Sequence, residues 1–183
     1  MAKQAPEDVG RIELKLRELG QLFDSLDPAP FRERSIDHDA EAFIVSWARD
    51  LRHHDALELR IHLPSGKVGP EAEPLVAEAV HHHFEYLAEA KRLEFRALMS
   101  RGRSSLAVGL AFLTVCLLVG NAIGKSSELG QIGSIVRESL LIGGWVAMWR
   151  PIEIFLYDWW GVRREQRDFE RVSRAPVHIV KAE

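Results

Sequence analysis

The sequence is poor in cysteine, with Cys116 as the only one among 183 residues. A single cysteine excludes a disulfide within the chain, and it excludes a metal site made of several cysteines from one copy. Several enzyme motifs are also missing, because the sequence has no glycine-rich phosphate loop, no G-x-S-x-G turn and no H-E-x-x-H. We therefore predict a protein that is not an enzyme and needs no cofactor.

Basic charge is also scarce in the first part of the chain. Residues 1–103 hold 15 Lys+Arg against 19 Asp+Glu, whereas a nucleic-acid-binding domain would be basic. No nucleic-acid partner is therefore expected. The opening residues MAKQAPEDVG lack the apolar core of a signal peptide, so none is predicted.

What the sequence does have is a long stretch without charge. The 21 residues of SSLAVGLAFLTVCLLVGNAIG, 104–124, lie between Arg103 and Lys125. As a helix this run covers roughly 30 Å, the thickness of the hydrocarbon core of a bilayer. We predict a transmembrane helix here. The alternative, a buried core helix, usually has fewer consecutive apolar residues and a polar stripe.

A second apolar segment carries charge inside it. The run GGWVAMWRPIEIFLYDWWGVRR begins at Gly143, and a span over residues 139–160 is long enough to cross with some tilt. This span includes Arg150 and Glu153. An earlier start would instead include Arg137 and Glu138. Indole rings favour the membrane–water boundary, so Trp159 and Trp160 support the first choice as interface anchors.

The distribution of Lys and Arg predicts the orientation of the two spans. Ten basic residues flank the hairpin at its two ends, and two lie in or near its connection. The first group is Lys91, Arg92, Arg96, Arg101, Arg103, Arg163, Arg164, Arg167, Arg171 and Arg174, and the second is Lys125 and Arg137. Because cytoplasmic flanks are enriched in basic residues, we predict a multi-pass protein of the bacterial inner (plasma) membrane with both termini in the cytosol.

Residues 1–70 are predicted to form a small cytosolic α/β domain. RIELKL (11–16) and LELRIHL (57–63) alternate polar and apolar residues, as half-buried strands do. For the first segment a helical repeat over residues 12–26 also fits. Asp37 is a candidate cap for a helix that presents Phe43, Ile44, Trp47, Ala48 and Leu51 to the strands.

The rest of the chain completes the predicted architecture. Residues 71–103 are predicted to form a long amphipathic helix that leads to the membrane. Its start is acidic and its end basic, which is the arrangement that complements a helix dipole. Residues 104–160 form a transmembrane hairpin with spans of about 104–124 and 139–160. Residues 161–183 form a basic cytosolic tail in which 176–182 has strand character. The predicted fold class is thus α+β with a membrane part.

The polar residues inside the second span are the candidates for membrane-embedded chemistry. Arg150 and Glu153 are three residues apart, so they share a helix face and can pair, while Pro151 frees a backbone carbonyl and predicts a kink. A structural anchor is the favoured interpretation. A proton or ion path and docking to a partner membrane protein are the alternatives.

Small residues at four-residue spacing predict where another helix packs closely. They are Ser139, Gly143 and Ala147 in the second span, and Ser105, Gly109, Gly120 and Gly124 in the first. Arg150 lies on the face of Gly143. If Trp160 is level with Ser104, Arg150 comes near Thr114.

Three consecutive histidines, His81, His82 and His83, lie in the long helix. Adjacent side chains of a helix point about 100° apart, so one ion cannot bind all three. No metal is predicted, and these histidines remain weak candidates for a metal or pH sensor.

Two segments, LFDSLDPAPFRER (22–34) and WRPIEIFLYDWW (149–160), resemble those of a family of uncharacterised bacterial two-span inner-membrane proteins with a cytosolic N-terminal domain. The resemblance implies an inner-membrane location and brings no activity.

The leading hypothesis is a non-enzymatic integral membrane protein. Its cytosolic domain would mediate self-assembly into a homo-oligomer or docking to a partner membrane protein. The alternatives are an oligomeric ion or proton channel or transporter component that uses Arg150 and Glu153, and the histidine sensor.

Overall fold

The computed structural model describes residues 9–25, 27–28, 34–54, 56–64, 72–125 and 130–182. The protein is mostly helical, with a small parallel sheet and two long apolar helices. Its elements in chain order are β1 (Val9–Lys15), a short 3-10 helix (Leu19–Leu22), α1 (His38–Asp50), β2 (Ala56–Pro64), α2 (Ala72–Lys125), α3 (Gly130–Glu153), a π-helical turn (Ile154–Asp158), α4 (Trp159–Val172) and β3 (Val177–Ala182). The segment PSGKVGP (64–70), whose prolines and glycines predict a turn, lies outside the described residues after Pro64, and so do residues 126–129 between α2 and α3.

The two predicted strands are confirmed. Along β1 the apolar residues Ile12 and Leu14 are buried, whereas Arg11 and Glu13 face solvent. In β2 the residues Leu57, Leu59, Ile61 and Leu63 are buried and alternate with half-buried polar residues. The helical alternative for residues 12–26 is therefore wrong, because alternation at a period of two matches one buried sheet face.

The three strands form one parallel sheet in the order β1-β2-β3. The connection from β2 to β3 contains α2, α3, the π-helical turn and α4. The chain divides into two compact units, residues 1–91 with 164–183 and residues 92–163. We call the first the sheet unit and the second the hairpin unit. The hairpin unit is thus an insertion in the crossover between two paired strands.

Helix α1 begins where the sequence predicts. Asp37 caps it, since its carboxylate Oδ1 accepts the backbone N–H of Asp39 at 3.0 Å. The buried residues are Ile44, Val45 and Ala48. The prediction that Phe43 and Trp47 face the strands is wrong, because they are 41% and 44% exposed. Each precedes a core residue by one position, which turns its side chain about 100° away from the core.

The C-terminal segment is more than a basic tail. Residues 159–172 are helical, Phe169 and Val172 belong to the core, and β3 forms where the sequence shows strand character. The core also includes Val76, Val80 and Phe84 of α2. Residues before and after the hairpin unit therefore share one hydrophobic core.

Candidate functional site

The two helices of the hairpin unit pack through small residues. Within the hairpin unit, the buried positions of α2 are Gly102, Gly109, Cys116 and Gly120, and those of α3 are Gly133, Gly144 and Pro151. The first three of α2 repeat every seven residues, as along the seam of a coiled coil. In lipid such small residues allow close approach of two backbones.

The packing face of α3 differs from the predicted one. A methyl group added to Gly144 would lie 2.6 Å from Leu113 Cδ1, whereas one added to Gly143 would have no atom within 4 Å. Ser139 is exposed as well. Gly109 and Ala147, both predicted for helix packing, do meet, because a methyl group on Gly109 would lie 3.2 Å from the carbonyl oxygen of Ala147. Ser105, the other predicted residue of α2, is half-buried.

The helices are also offset from the predicted alignment. Gly102 faces Ile154 and Phe155, and Gly109 faces Ala147 and Met148. Because the helices are antiparallel, Arg150 is level with about Leu106. Thr114 lies beside Leu113, which packs on Gly144, and its hydroxyl donates to the carbonyl of Leu110 at 2.8 Å. The predicted proximity of Arg150 and Thr114 is therefore wrong, by about 12 Å along the axis.

Arg150 forms a small ionic cluster. Its Nη1 lies 2.8 Å from Glu153 Oε2 and 3.5 Å from Asp158 Oδ2. The Arg150 side chain is 62% exposed, and at the level of Leu106 it is only about one helical turn from Arg103. Arg150 is thus near the end of the uncharged run of α2, and a short reach brings its charge past that end.

The kink residue has an identifiable consequence for the backbone. Pro151 lies inside α3, removes one backbone hydrogen bond, and is followed within three residues by the π-helical turn Ile154–Asp158. This turn places Asp158 next to the Arg150 guanidinium, although the two are eight positions apart. The widened backbone therefore adds a second carboxylate to the cluster.

Arg137 lies toward the other end of the hairpin unit, and its sequence position indicated only a basic residue in or near the connection. A methyl group added to Gly120 would lie 3.4 Å from Arg137 Cγ, and one added to Gly124 would lie 3.9 Å from Arg137 Nη1. The side chain therefore follows a glycine groove toward the end of α2. The spacing of Gly120 and Gly124 predicted a packing face here, and the structure shows that the Arg137 side chain lies against it.

The predicted anchor Trp159 is not level with Ser104 along the helix pair. It packs beside Phe95, which precedes the uncharged run of α2. The Trp159 ring is 6.4 Å from the ring of Phe95, and the Arg163 guanidinium lies 5.4 Å from the same Phe95 ring. Phe95 precedes Arg103 by about two helical turns. Trp149, which is 72% exposed and one residue before Arg150, lies closer to the end of the uncharged run.

The three histidines do not converge on one point. His83 Nε2 lies 2.9 Å from Glu41 Oε2, His81 Nε2 lies 2.8 Å from the carbonyl oxygen of Ala175, and His82 is exposed. His83 Nδ1 accepts the N–H of Ile36 at 3.4 Å, so its Nε2 carries the proton. Within the described ranges, no group of three or more His, Cys, Asp or Glu is arranged to hold a metal ion.

A buried carboxylate links α1 to α4 within the sheet unit. Asp168 is 2% exposed and receives two hydrogen bonds from Arg52, one of them from Nε at 3.0 Å. Arg49 lies 3.6 Å from the same carboxylate. The hydrogen bond from Arg52 to Asp168 raises the pKa of the guanidinium. Asp168 thus ties the segment after the hairpin to the segment before it.

Arg171 caps the C-terminal end of α1. Its guanidinium donates to the carbonyls of Ala48, Leu51 and His54 at 3.2, 3.0 and 2.8 Å. These include carbonyls that the end of a helix leaves without partners. From the sequence, Arg171 was only one of the basic residues that flank the predicted transmembrane hairpin. Nothing in its local pattern indicated this contact.

The face of the sheet opposite the core is polar. Glu58 accepts a hydrogen bond from Arg60 Nε at 2.7 Å and lies 3.6 Å from Arg11 Nε. The hydrogen bond from Arg60 lowers the pKa of Glu58, against the smaller opposing effect of burial. His62 lies 3.8 Å from Glu13 on the same face. Neighbouring strands therefore carry opposite charges side by side.

Comparison of the chain with protein-family models, with curated proteins and with solved structures finds no match. The geometry described above therefore carries the functional argument alone.

Proposed function

We propose that the protein is a non-enzymatic, two-span membrane protein of the bacterial inner membrane whose sheet unit mediates assembly. The observation that supports membrane insertion is the exposure of the two long apolar helices. Two helices are long and apolar enough to cross a bilayer, yet only 17% of the most apolar window of either helix is buried. A core helix of a soluble protein of this apolarity would be largely buried.

The topology supports an even number of crossings. The residues before α2 and the strand after α4 belong to one sheet, and β2 pairs directly with β3. Both ends of the hairpin unit must therefore lie on the same side of a membrane that it crosses. This agrees with the basic residues at both ends, which favour the cytosol.

Cysteine labelling in intact cells tests the insertion and the orientation. On a Cys116→Ala background, a membrane-impermeant maleimide should label Gln131→Cys from outside and Tyr86→Cys only after permeabilisation. Leu118→Cys, an exposed apolar position within the uncharged run 104–124 of α2, should react only after detergent is added. Ready labelling of Leu118→Cys in intact membranes would contradict the insertion. Labelling of Tyr86→Cys from outside would contradict the orientation.

The runner-up is an oligomeric channel or transporter component. The Arg150, Glu153 and Asp158 cluster favours it only as a polar group within an apolar hairpin. Its position near the end of the uncharged run favours an anchor instead. Flux through purified protein in liposomes that Arg150→Gln abolishes would support the channel, and flux no greater than background would remove it.

A sensor based on the histidines has the least support, since His81 and His83 contact different partners. Calorimetric titration with zinc and with nickel tests it. The absence of any heat of binding would remove the metal version of this hypothesis.

A further inference from the structure

The two edges of the sheet differ in how they are covered. At the β3 edge, Glu73 Oε2 accepts the backbone N–H of Ile179 at 3.3 Å, and Glu73 Oε1 lies 3.3 Å from His178 Nδ1. Among the described residues, β1 pairs only with β2. The outer edge of β1 thus presents a row of backbone groups that none of the described residues covers, and such a row is a template for another strand.

The backbone pattern shows which groups this edge presents. The N–H of Leu16 donates to the carbonyl of His62 at 3.0 Å, so the even-numbered residues of β1 direct their hydrogen bonds toward β2. In a parallel pair the direction alternates along the strand. Val9, Arg11, Glu13 and Lys15 therefore direct their N–H and C=O groups outward.

A groove runs along this edge. Arg11, Glu13, Lys15, Phe43 and Trp47 line a cavity of about 520 Å³. The Phe43 and Trp47 rings are 6.0 Å apart, and they are two of the three exposed large apolar side chains among the described residues of the sheet unit. An open strand edge beside an exposed aromatic pair is the setting in which a protein binds an additional strand.

We propose that the occupant is β1 of a second copy, antiparallel and centred on Ile12, so that two sheets join into one of six strands. This inference rests on the assembly role proposed above and names its surface. Ile12 is the middle residue of β1, Val9–Lys15. With the two-fold axis at Ile12, Arg11 of each copy lies opposite Glu13 of the other.

Charge selects this register. Relative to the centred register, the second strand can shift only by an even number of residues. A shift by one residue would place apolar side chains opposite charged ones. A shift of the partner by two in either direction sets Arg11 opposite Arg11 or Glu13 opposite Glu13, which is destabilising. A shift by four sets Glu13 opposite Lys15 but overlaps the strands only over residues 13–15. The centred register alone combines opposite charges with the full strand.

The joined sheet also continues the pattern that exists within one copy. Arg11 already lies opposite Glu58, and Glu13 opposite Arg60. In the joined sheet, Arg11 lies between Glu58 of its own copy and Glu13 of the second copy. Glu13 likewise lies between Arg60 of its own copy and Arg11 of the second copy. A two-fold axis perpendicular to the sheet keeps both α1 helices on one face, where the second copy covers the groove at Phe43 and Trp47.

Charge reversal in the full-length protein, studied by native mass spectrometry from detergent micelles, tests the proposal. Arg11→Glu and Glu13→Arg should each weaken the dimer about tenfold, since the axis repeats every like-charged pair twice. An equimolar mixture of the two variants should form heterodimers, because each pair between positions 11 and 13 then again joins charges of opposite sign. The double variant should form homodimers. Lys15→Glu, opposite Val9, is the matched control and should dimerise as the natural protein does.

The outcomes separate this inference from the proposed function. If the natural protein is an oligomer and both single variants remain so, the β1 surface is wrong while assembly stands. If the mixture of single variants does not recover dimers, the charge register is wrong. If the natural protein is monomeric or is found only with a different protein, self-pairing is overturned, and the labelling experiment still tests membrane insertion independently.

Discussion

The sheet unit and the hairpin unit bury opposite kinds of residue. In the sheet unit the fully buried residues include large apolar side chains, such as Phe84, Ile12 and Leu59. In the hairpin unit the buried positions are mainly glycines and Cys116, and all but three of the exposed large apolar side chains of the described residues lie there. Water drives large apolar groups inward, whereas lipid leaves close backbone approach as the main source of packing energy. Four experiments test this contrast.

The largest effect is expected from Arg52→Ala in the sheet unit. Removal of this guanidinium leaves the buried Asp168 without its bidentate partner, and breaking a pair that is buried on both sides costs about 3–5 kcal/mol. Because the Arg52 side chain is 36% exposed, we expect a loss of about 3 kcal/mol, at the lower end of that range. Hydrogen exchange in β2, followed by mass spectrometry, should accelerate strongly, while exchange in α3 should not change. Arg49→Ala, which removes only the 3.6 Å contact, is the control. Equal effects of the two variants would contradict the assignment of Arg52 as the main partner.

Arg171→Ala should have the next largest effect. Three carbonyls lose their donor, and a lost hydrogen bond to a charged group costs about 1.5–3 kcal/mol. The free energy of unfolding of the sheet unit should fall by that amount in urea titrations of detergent-solubilised protein. Arg174→Ala, three residues away, is a control of the same side-chain type. Arg171→Lys should restore only part of the loss, because an ammonium lacks the planar fork.

A pair of adjacent glycines tests the hairpin unit. Gly144→Leu should separate the helices, because even a methyl group there would meet Leu113, and overpacking costs about 1–3 kcal/mol. Gly143→Leu should cost little, since no atom lies within 4 Å of that site. Thermal unfolding in detergent measures both. A larger loss from Gly143→Leu would support the face predicted from Ser139, Gly143 and Ala147 instead.

The smallest effect concerns pH. The folded state lowers the pKa of Glu58, so the ionised carboxylate stabilises the sheet unit above the ordinary pKa near 4.5. This contribution is lost as the pH falls through the lowered value. The difference in stability between the natural protein and Glu58→Gln should therefore shrink below about pH 4.5. A difference independent of pH between 3 and 7 would contradict the prediction.

The sequence predicted those features that depend on local pattern. Alternation in RIELKL and LELRIHL predicts two strands with one buried face, Asp37 predicts the start of α1, and the spacing of Arg150 and Glu153 predicts their pairing. Each depends on residues within a few positions of one another. For the same reason the strand character of residues 176–182 was visible in the sequence.

The features that the sequence did not reveal depend on distant residues. Gly143 and Gly144 are indistinguishable until the partner helix is known, and the offset between α2 and α3 decides that Thr114 is not near Arg150. Phe43 and Trp47 share a helix face with each other but not with the core. Arg171 meets carbonyls about 120 positions earlier, a distance at which no local pattern exists.

The crossover between β2 and β3 has a consequence for the order of synthesis. The ribosome completes the central strand at Pro64 and must make the following 112 residues, both apolar helices included, before the first residue of β3 exists. The three-stranded sheet therefore cannot be complete until both apolar helices have been synthesised. If the two helices insert as proposed above, β3 can pair with β2 only after both have crossed the membrane, so a chain with the wrong number of crossings would keep β2 without its third strand and be exposed to proteases.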